Sequence, residues 1–465
     1  MSTDSFDLAV IGAGSAGLVA ATTARRLGAS VLLVEAERLG GDCTWTGCVP
    51  SKALIHAAAV AHRARRSGWL AAGEPDFGAV MEQVRRAIDR VYQGETPERL
   101  RELGIDVRIA SAHFRDRSTL IAGGQEVRAR KYIVCTGAVP TLPSIPGLTE
   151  TPHLTYLNVF DLKQLPRRLL VLGAGPVGVE LAQAFARLGS RVTVLDAAEV
   201  LLPVADPEAS RVLAGVFAAE GVGLRLGALV SRIEVAADGV VLHDGSGSIT
   251  GDQLLVSTGR RPRIDGLGVE NAGIRASPSG IEVDQRLRTT NPNVYAAGDV
   301  AGSLQFTHYA AWQGFVAARN ALFPGAGRGT RGGLPWAVFT DPVVAQVGLG
   351  EKEARDHYGE IQVHRLDVAR VDRAQTDQSD LGFIKLVARR GRLLGACVVS
   401  AHAGEMVNEL SMALNARLGL RELAETMHVY PTFGIGIQQI ASEASLELWT
   451  KGWRRRIANL VRTRK

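Results

Sequence analysis

Phe6-Asp-Leu-Ala-Val-Ile-Gly12-Ala-Gly14-Ser-Ala-Gly17 is a pattern that the chain uses twice, the second time as Arg168-Leu-Leu-Val-Leu-Gly173-Ala-Gly175-Pro-Val-Gly178. Each copy reads as a strand, a glycine turn and the start of a helix. A second strand then ends in an acid: Val31-Leu-Leu-Val-Glu35 in the first copy, Val192-Thr-Val-Leu-Asp196 in the second. Gly12, Gly14, Gly17 and Glu35 fall on Gly173, Gly175, Gly178 and Asp196 with one constant offset. The physical reading is that of a dinucleotide site. The first glycine permits the tight turn and the second lets a pyrophosphate approach the backbone. The third lets helix and strand pack closely, and the helix N-terminus faces the phosphates. The acid accepts hydrogen bonds from a ribose.

Each copy also closes alike. Tyr132-Ile-Val-Cys-Thr-Gly137-Ala-Val-Pro140 and Leu254-Leu-Val-Ser-Thr-Gly259-Arg-Arg-Pro262 are both strand, Thr-Gly, then Pro. The first copy is longer between its glycines, and the surplus falls on a helical stretch after Cys48. Pro140, Pro143 and Pro146 mark a linker. A third short motif, Thr290-Asn-Pro-Asn-Val-Tyr-Ala-Ala-Gly-Asp299, ends an apolar run in an acid. From about Gly332 the pattern changes to α+β. Val343–Val347, Phe383–Val387 and Leu393–Val399 read as strands, and helices are expected near Met406–Leu418 and Ile437–Trp449. The expected fold class is therefore α/β, with two Rossmann-like dinucleotide-binding domains and a C-terminal α+β domain. The expected boundaries are 1–147, 148–262, a return to the first domain over 263–331, 332–450, and a basic tail over 451–465.

Composition narrows the class. The chain has 465 residues, 46% apolar and 22% charged, which excludes disorder and suits several domains. No uninterrupted apolar run approaches the ~18–20 residues of a membrane helix. No basic stretch leads into an apolar one near Met1, so no secretion leader is expected. The net charge of +6 is concentrated in Lys451, Arg454, Arg455, Arg456, Arg462, Arg464 and Lys465. The rest is near neutral and carries no nucleic-acid footprint. That tail also suggests peripheral contact with an anionic membrane surface, set against the plainer reading of a solvated terminus.

The chemistry centres on Gly40-Gly-Asp42-Cys43-Thr-Trp45-Thr-Gly-Cys48-Val-Pro50-Ser-Lys52. Pro50 suits the first turn of a helix, which puts Cys48 at its N-terminus. The positive end of the helix dipole favours a thiolate there. Lys52 follows one turn later on the same face. Cys43 is near enough in sequence to bridge to Cys48 in a readily reduced disulfide. Cys135 and Cys397 read as core residues.

These motifs, over nearly the whole chain, resemble the class I pyridine nucleotide–disulfide oxidoreductases. That family includes glutathione reductase, dihydrolipoamide dehydrogenase and mercuric reductase. The resemblance implies FAD at Gly12, Gly14, Gly17 and Glu35, with a backbone contact at Ala112 and the ribityl chain on Asp299. It implies a nicotinamide nucleotide at Gly173, Gly175, Gly178 and Asp196. Asp42, Lys52, Gly137, Glu180 and Gly259 complete the implied cofactor set. Cys43 would be the interchange thiol and Cys48 the flavin-facing one. Lys52 would sit near flavin N5 and pair with Glu180, and the last domain would form a homodimer. Asp196, with no basic partner at Ala197 or Ala198, favours NADH over NADPH. A dithiol fed by NAD(P)H suits a reducing, cytoplasmic setting.

Departures from the family narrow the acceptor. Disulfide-reducing members carry His-Pro-Thr-x-x-Glu near the C-terminus. Here the stretch is His428-Val-Tyr430-Pro-Thr-Phe-Gly-Ile435, so Tyr430 takes the catalytic place of the His and Ile435 that of the Glu. Tyrosine titrates near 10 and is a poor base at neutral pH. His428 reads as a packed or capping residue. Mercuric reductase also resembles this pattern, with Tyr in place of the His, but it adds a C-terminal cysteine pair. This chain has no Cys after Cys397. No resident metal site is assigned. The expected acceptor is a small molecule that needs no acid–base dyad: a soft metal ion, a quinone, or an oxidant or electrophile. Dihydrolipoamide dehydrogenase activity, a membrane-docked relay and a flavin-only NADH oxidase are the competing readings. Asp42 and Trp45 stand where relatives usually have Thr and Asn. Trp45 reads equally as a pocket wall or as packing under the loop.

Overall fold

Strand β1 (Asp4–Ile11) is apolar on both sides, with Leu8 and Val10 on one and Ala9 and Ile11 on the other, all buried. Such a strand needs cover above and below, as in a parallel sheet between layers. The computed structural model describes residues 4–69, 73–302, 304–323, 327–329 and 333–450. The basic tail expected over 451–465 lies outside the described residues. The chain divides into two compact units. One comprises Met1–Gly173, Ala184–Ala197 and Ala228–Arg331; the other comprises Ala174–Gln183, Ala198–Gly227 and Gly332–Lys465.

In the first unit, β1 is followed by β2 (Val31–Glu35), β3 (Ile105–Ile109), β4 (Ala112–Phe114), β5 (Thr119–Ala122) and β6 (Gln125–Val134), in the order β3-β2-β1-β6-β5-β4. Strands β3, β2, β1 and β6 run parallel, and β5 and β4 return antiparallel. The strand Val294–Ala296 adds to β6 in parallel, with Tyr132 opposite Val294. Parallel strands end on one edge, so Gly12, Glu35 and Asp299 all follow from the same side of this sheet. Helix α1 (Ser15–Arg26) lays Ala16, Ala20, Ala21 and Ala24 on Leu8, Val10, Val31 and Leu33. The helix Thr307–Leu322 joins that cluster through Val316, Ala317 and Ala321. On the other face Ala9, Ile11, Leu32 and Val34 meet Phe114, Leu120 and Tyr132.

The surplus of the first copy is largely helical. It holds α2 (Gly41–Trp45), α3 (Cys48–Arg66), α4 (Phe77–Tyr92) and α5 (Pro97–Glu102). Asp76 and Thr96 cap α4 and α5, accepting from the N–H groups of Ala79 and Arg99, each at 3.2 Å. The closing strand β7 (Ala138–Pro140) leads to β8 (Arg168–Leu172) and β9 (Arg191–Asp196). β9 and the strand Gln253–Val256 flank β8 in parallel, the same plan as the first copy. The strand Arg260–Pro262 then pairs antiparallel with β7, Arg260 opposite Pro140. The two closing motifs therefore rest on each other.

In the second unit a five-stranded antiparallel sheet runs in the order Trp336–Val338, Val343–Gly348, Arg392–Ser400, Phe383–Arg389, Gln362–Asp367. The helices Ala403–Ala416 and Ile435–Thr450 share its core, Met406, Val407 and Leu410 from one and Ile437, Ile440 and Ala441 from the other. The edge strands Trp336–Val338 and Gln362–Asp367 are additional to the three expected. Lys385, almost wholly buried in this sheet, bonds both oxygens of Asp206 at 2.9 Å and Glu208 at 3.1 Å. Burial alone would lower the ammonium's pKa, but these two carboxylates outweigh it and raise it.

Two glycines test the turns. A Cβ on Gly17 would stand 1.8 Å from the Gly12 carbonyl oxygen, whereas one on Gly175 would meet nothing within 4 Å. Gly17→Ala is expected to cost about 3 kcal/mol in thermal melting, the upper end of the usual overpacking range, and Gly175→Ala to melt close to the parent.

Candidate active site

The first glycine turn is closed by contacts that leave its helix N-terminus available. Gly12 has φ +99° and a Cβ there would lie 2.4 Å from the Cys135 carbonyl oxygen, so only glycine fits. Gly14 caps α1 without a side chain, and no acid occupies the first turn. The N–H groups of that turn can therefore take an anion. Glu35 Oε2 accepts the Ala13 N–H at 2.7 Å, and Oε1 the Glu37 N–H at 3.1 Å. Its carboxylate is thus fixed beside the turn with lone pairs to spare. Ala112 begins strand β4, and Gly137 has φ +72° between β6 and β7.

The dithiol segment rests on this turn. A Cβ on Gly41 would come within 2.7 Å of Gly14 Cα, so the two backbones touch where neither has a side chain. Cys43 lies within α2, and Cys48 is the first residue of α3. The thiols are unbridged, and Cys43 is hydrogen-bonded to Cys48. Cys48 Sγ also lies 3.1 Å from Thr307 Oγ1. The Cys48 contact and burial push the Cys43 thiol far up. A thiolate at Cys48 would lie at the positive end of α3. Lys52 is half-buried one turn on. Cys135 and Cys397 are buried and their thiols are raised by desolvation, as core cysteines are; Cys135 stands just after β6 rather than within a strand.

Asp42 and Asp299 are brought together by a residue that the sequence reading did not single out. Arg260 reaches Asp42 Oδ2 with Nη2 at 2.8 Å and Asp299 Oδ2 with Nη1 at 2.7 Å. The Tyr156 hydroxyl donates to Asp42 Oδ2 at 3.1 Å, and its ring centre lies 5.1 Å from the guanidinium carbon. Burial raises Asp299 despite Arg260, and raises the Tyr156 phenol to about 12. Arg260 stands in the second closing motif, so its position was on view; its partners were not. Nothing in the sequence marked Tyr156.

In the second copy, Gly173 has φ +117° and its Cβ would lie 2.5 Å from the Ser257 carbonyl oxygen, repeating the part Gly12 plays. Gly178 lies in α6 (Pro176–Leu188), Asp196 ends β9 and Gly259 precedes the strand Arg260–Pro262. Glu180 is buried and its Oε1 accepts the Phe339 N–H at 2.7 Å.

Three side chains named with the departures are also placed. Trp45 packs under the loop: Nε1 donates to the Leu39 carbonyl at 2.6 Å, the Tyr92 ring lies tilted against it with centroids 4.8 Å apart, and the Arg38 guanidinium lies 4.0 Å from the ring. The Tyr430 hydroxyl donates to Asp372 Oδ2 at 2.8 Å, and that carboxylate raises its pKa further above the tyrosine value. His428 Nε2 is 2.7 Å from Glu409 Oε1 and Nδ1 is 2.9 Å from the Thr426 carbonyl oxygen. With an acceptor at each nitrogen, this ring is locked in place.

Residues 6–314 match the pyridine nucleotide-disulphide oxidoreductase family, and residues 334–440 match that family's dimerisation domain. A mercuric reductase of Lysinibacillus sphaericus is 33% identical, over 96% of this chain and 84% of that protein. A dihydrolipoyl dehydrogenase of Thermus scotoductus is 35% identical, over 94% and 96%. The copper(II) complex of the HOCl-induced flavoprotein disulfide reductase RclA from Escherichia coli superposes with a TM-score of 0.85 at 32% identity, over 94% of this chain and 99% of that one. The chain belongs to the pyridine nucleotide–disulfide oxidoreductase family. It is a flavoprotein oxidoreductase whose cofactors are FAD and NAD(P)H, and the dimerisation domain supports a homodimer. The residues present fit FAD: an uncapped helix N-terminus over a glycine turn, an acid at each of two strand ends, and a buried Arg260 Nε with no hydrogen-bond partner among the described residues.

The exchanged dyad gives a gain-of-function test. Tyr430→His alone should leave dihydrolipoamide oxidation slow, because Ile435 cannot orient the ring. Tyr430→His with Ile435→Glu should raise it by about 10²-fold, the lower range for a positioned acid–base group. Steady-state NAD⁺ reduction by dihydrolipoamide measures both.

Proposed function

We propose that the enzyme passes electrons from NAD(P)H through FAD to Cys43–Cys48, and from there to an acceptor that needs no acid–base dyad. The acceptor is a soft metal ion, a quinone, or a reactive oxidant or electrophile. The observation that carries this reading is the dithiol seated on the first glycine turn, with Cys48 opening α3. When bound, FAD supplies the relay for a hydride equivalent from the nicotinamide to the disulfide. The S–S bond then breaks to one thiolate and one thiol, so two electrons and one proton enter. The residues suit that outcome: Cys48 takes the negative charge and Cys43 keeps the proton until it attacks the acceptor. In this reading Gly12, Gly14, Gly17, Glu35, Ala112, Gly137 and Asp299 hold FAD, and Lys52 sits beside its reactive ring. Gly173, Gly175, Gly178, Asp196 and Gly259 hold the nucleotide, and Asp196 selects NADH. Glu180 and Tyr430 serve the active site. The domain limits are those expected from the sequence, and the setting is cytoplasmic.

Thiolates prefer soft metals, and RclA, a similar fold, forms a complex with copper(II), which supports testing metal ions as acceptors. Tyr430 at the place of the family's acid–base His counts against dihydrolipoamide as substrate. Anaerobic NADH titration of the purified holoenzyme should develop a long-wavelength charge-transfer band at two electrons, and Cys48→Ser should lack it. Flavin bleaching with no band in the parent would overturn the dithiol route and favour reduction of quinone or oxygen at the flavin.

The basic segment 451–465 adds peripheral contact with anionic membranes to the proposal. The full chain should float with phosphatidylserine vesicles and a chain ending at Leu448 should not; equal flotation would remove this part.

A further inference from the structure

The acid before the first redox cysteine stands where relatives in this family usually carry Thr, and a threonine there could form no ion pair. In this chain Asp42 accepts from Arg260 and from Tyr156, while the other arm of Arg260 holds Asp299. One guanidinium thus spans two carboxylates far apart in sequence. The three side chains are 31, 22 and 13% exposed for Asp42, Arg260 and Asp299, so water screens the charges only in part.

We propose that Asp42 is a positioning residue that holds Arg260 against Asp299 and so ties α2, which carries Cys43, to the acid that holds the FAD ribityl chain. The inference rests on the FAD reading above. Its physical content is an effect whose sign depends on Arg260. With Arg260 present, Asp42 pins the guanidinium by a second carboxylate and restrains α2 through Tyr156. With Arg260 gone, Asp42 and Asp299 are two partly buried like charges without the guanidinium that joined them, and Asp42 becomes a burden on an anionic cofactor.

The test uses the holoenzyme and its Asp42→Asn, Arg260→Gln and doubly substituted forms. FAD retention is read from flavin fluorescence released on dilution, and thiol–flavin geometry from the charge-transfer band. Asp42→Asn in the parent should weaken retention severalfold and diminish the band. Arg260→Gln, which removes both ion pairs, should weaken retention by at least about tenfold. Adding Asp42→Asn to Arg260→Gln should then improve retention. An equal loss in both backgrounds would make Asp42 a plain cofactor contact, and no change in either would make it a bystander; each overturns the proposal. Should Arg260→Gln fail to fold, Arg260→Met carries the same sign test, and thermal melting of the apoproteins separates folding from retention. A parent chain that holds no flavin would overturn the FAD reading and this inference with it. A flavin-bearing chain that fails with every acceptor would overturn only the electron-acceptor proposal.

Discussion

The close approach of two bare backbones, Gly14 and Gly41, is the constraint from which the site follows. A methyl group on Gly41 would lift α2 off the turn between β1 and α1. The dithiol segment would then no longer rest beside the N-terminus of α1. Redox chemistry between a flavin and a disulfide depends on short, fixed distances. Here the seat of the dithiol segment on the turn is set by main chain on main chain, which has no rotamers to lose. The Gly40 N–H bond to the Ala13 carbonyl, at 2.9 Å, fixes the same contact from the other side.

Around that contact the electrostatics are arranged by element ends. The N-termini of α1 and α3 bring partial positive charge to the places where a phosphate and a thiolate are expected. Glu35 at the end of β2 and Asp299 just after Val294–Ala296 come from parallel strands of one sheet, with β1 and β6 between them. Arg260 is the full positive charge that lets Asp42 and Asp299 share this small region. The second unit has its own version of the same rule, with Lys385 answering Asp206 and Glu208 inside a sheet.

What was legible in the sequence was whatever the backbone imposes locally. Gly12, Gly17 and Gly173 are required by the turn itself, and a repeat of such turns announces two nucleotide folds. Cys48 at a helix start is likewise a local fact, readable from Pro50. Arg260 with its acids and His428 with Glu409 were not legible, because the partners are remote in sequence and any surface arginine or histidine looks the same beforehand. Trp45 shows the same limit: its neighbours Arg38 and Leu39 are close in sequence, but Tyr92 comes from the far end of α4. The edge strands Trp336–Val338 and Gln362–Asp367 escaped because short or half-exposed strands lack a strong apolar run.

The pairing of Tyr132 with Val294 orders events during synthesis. A nascent chain that has emerged only to Val134 has β1, β2, β3 and β6 but lacks the strand that delivers Asp299. The whole of β8, β9 and the strand Gln253–Val256 leaves the ribosome before that strand does. The nucleotide fold in the middle of the chain can therefore settle while the outer one is still open along β6. The sheet built on β1 stays incomplete until the chain returns to it with Val294–Ala296, so the first fold begun is the last of the two to be closed.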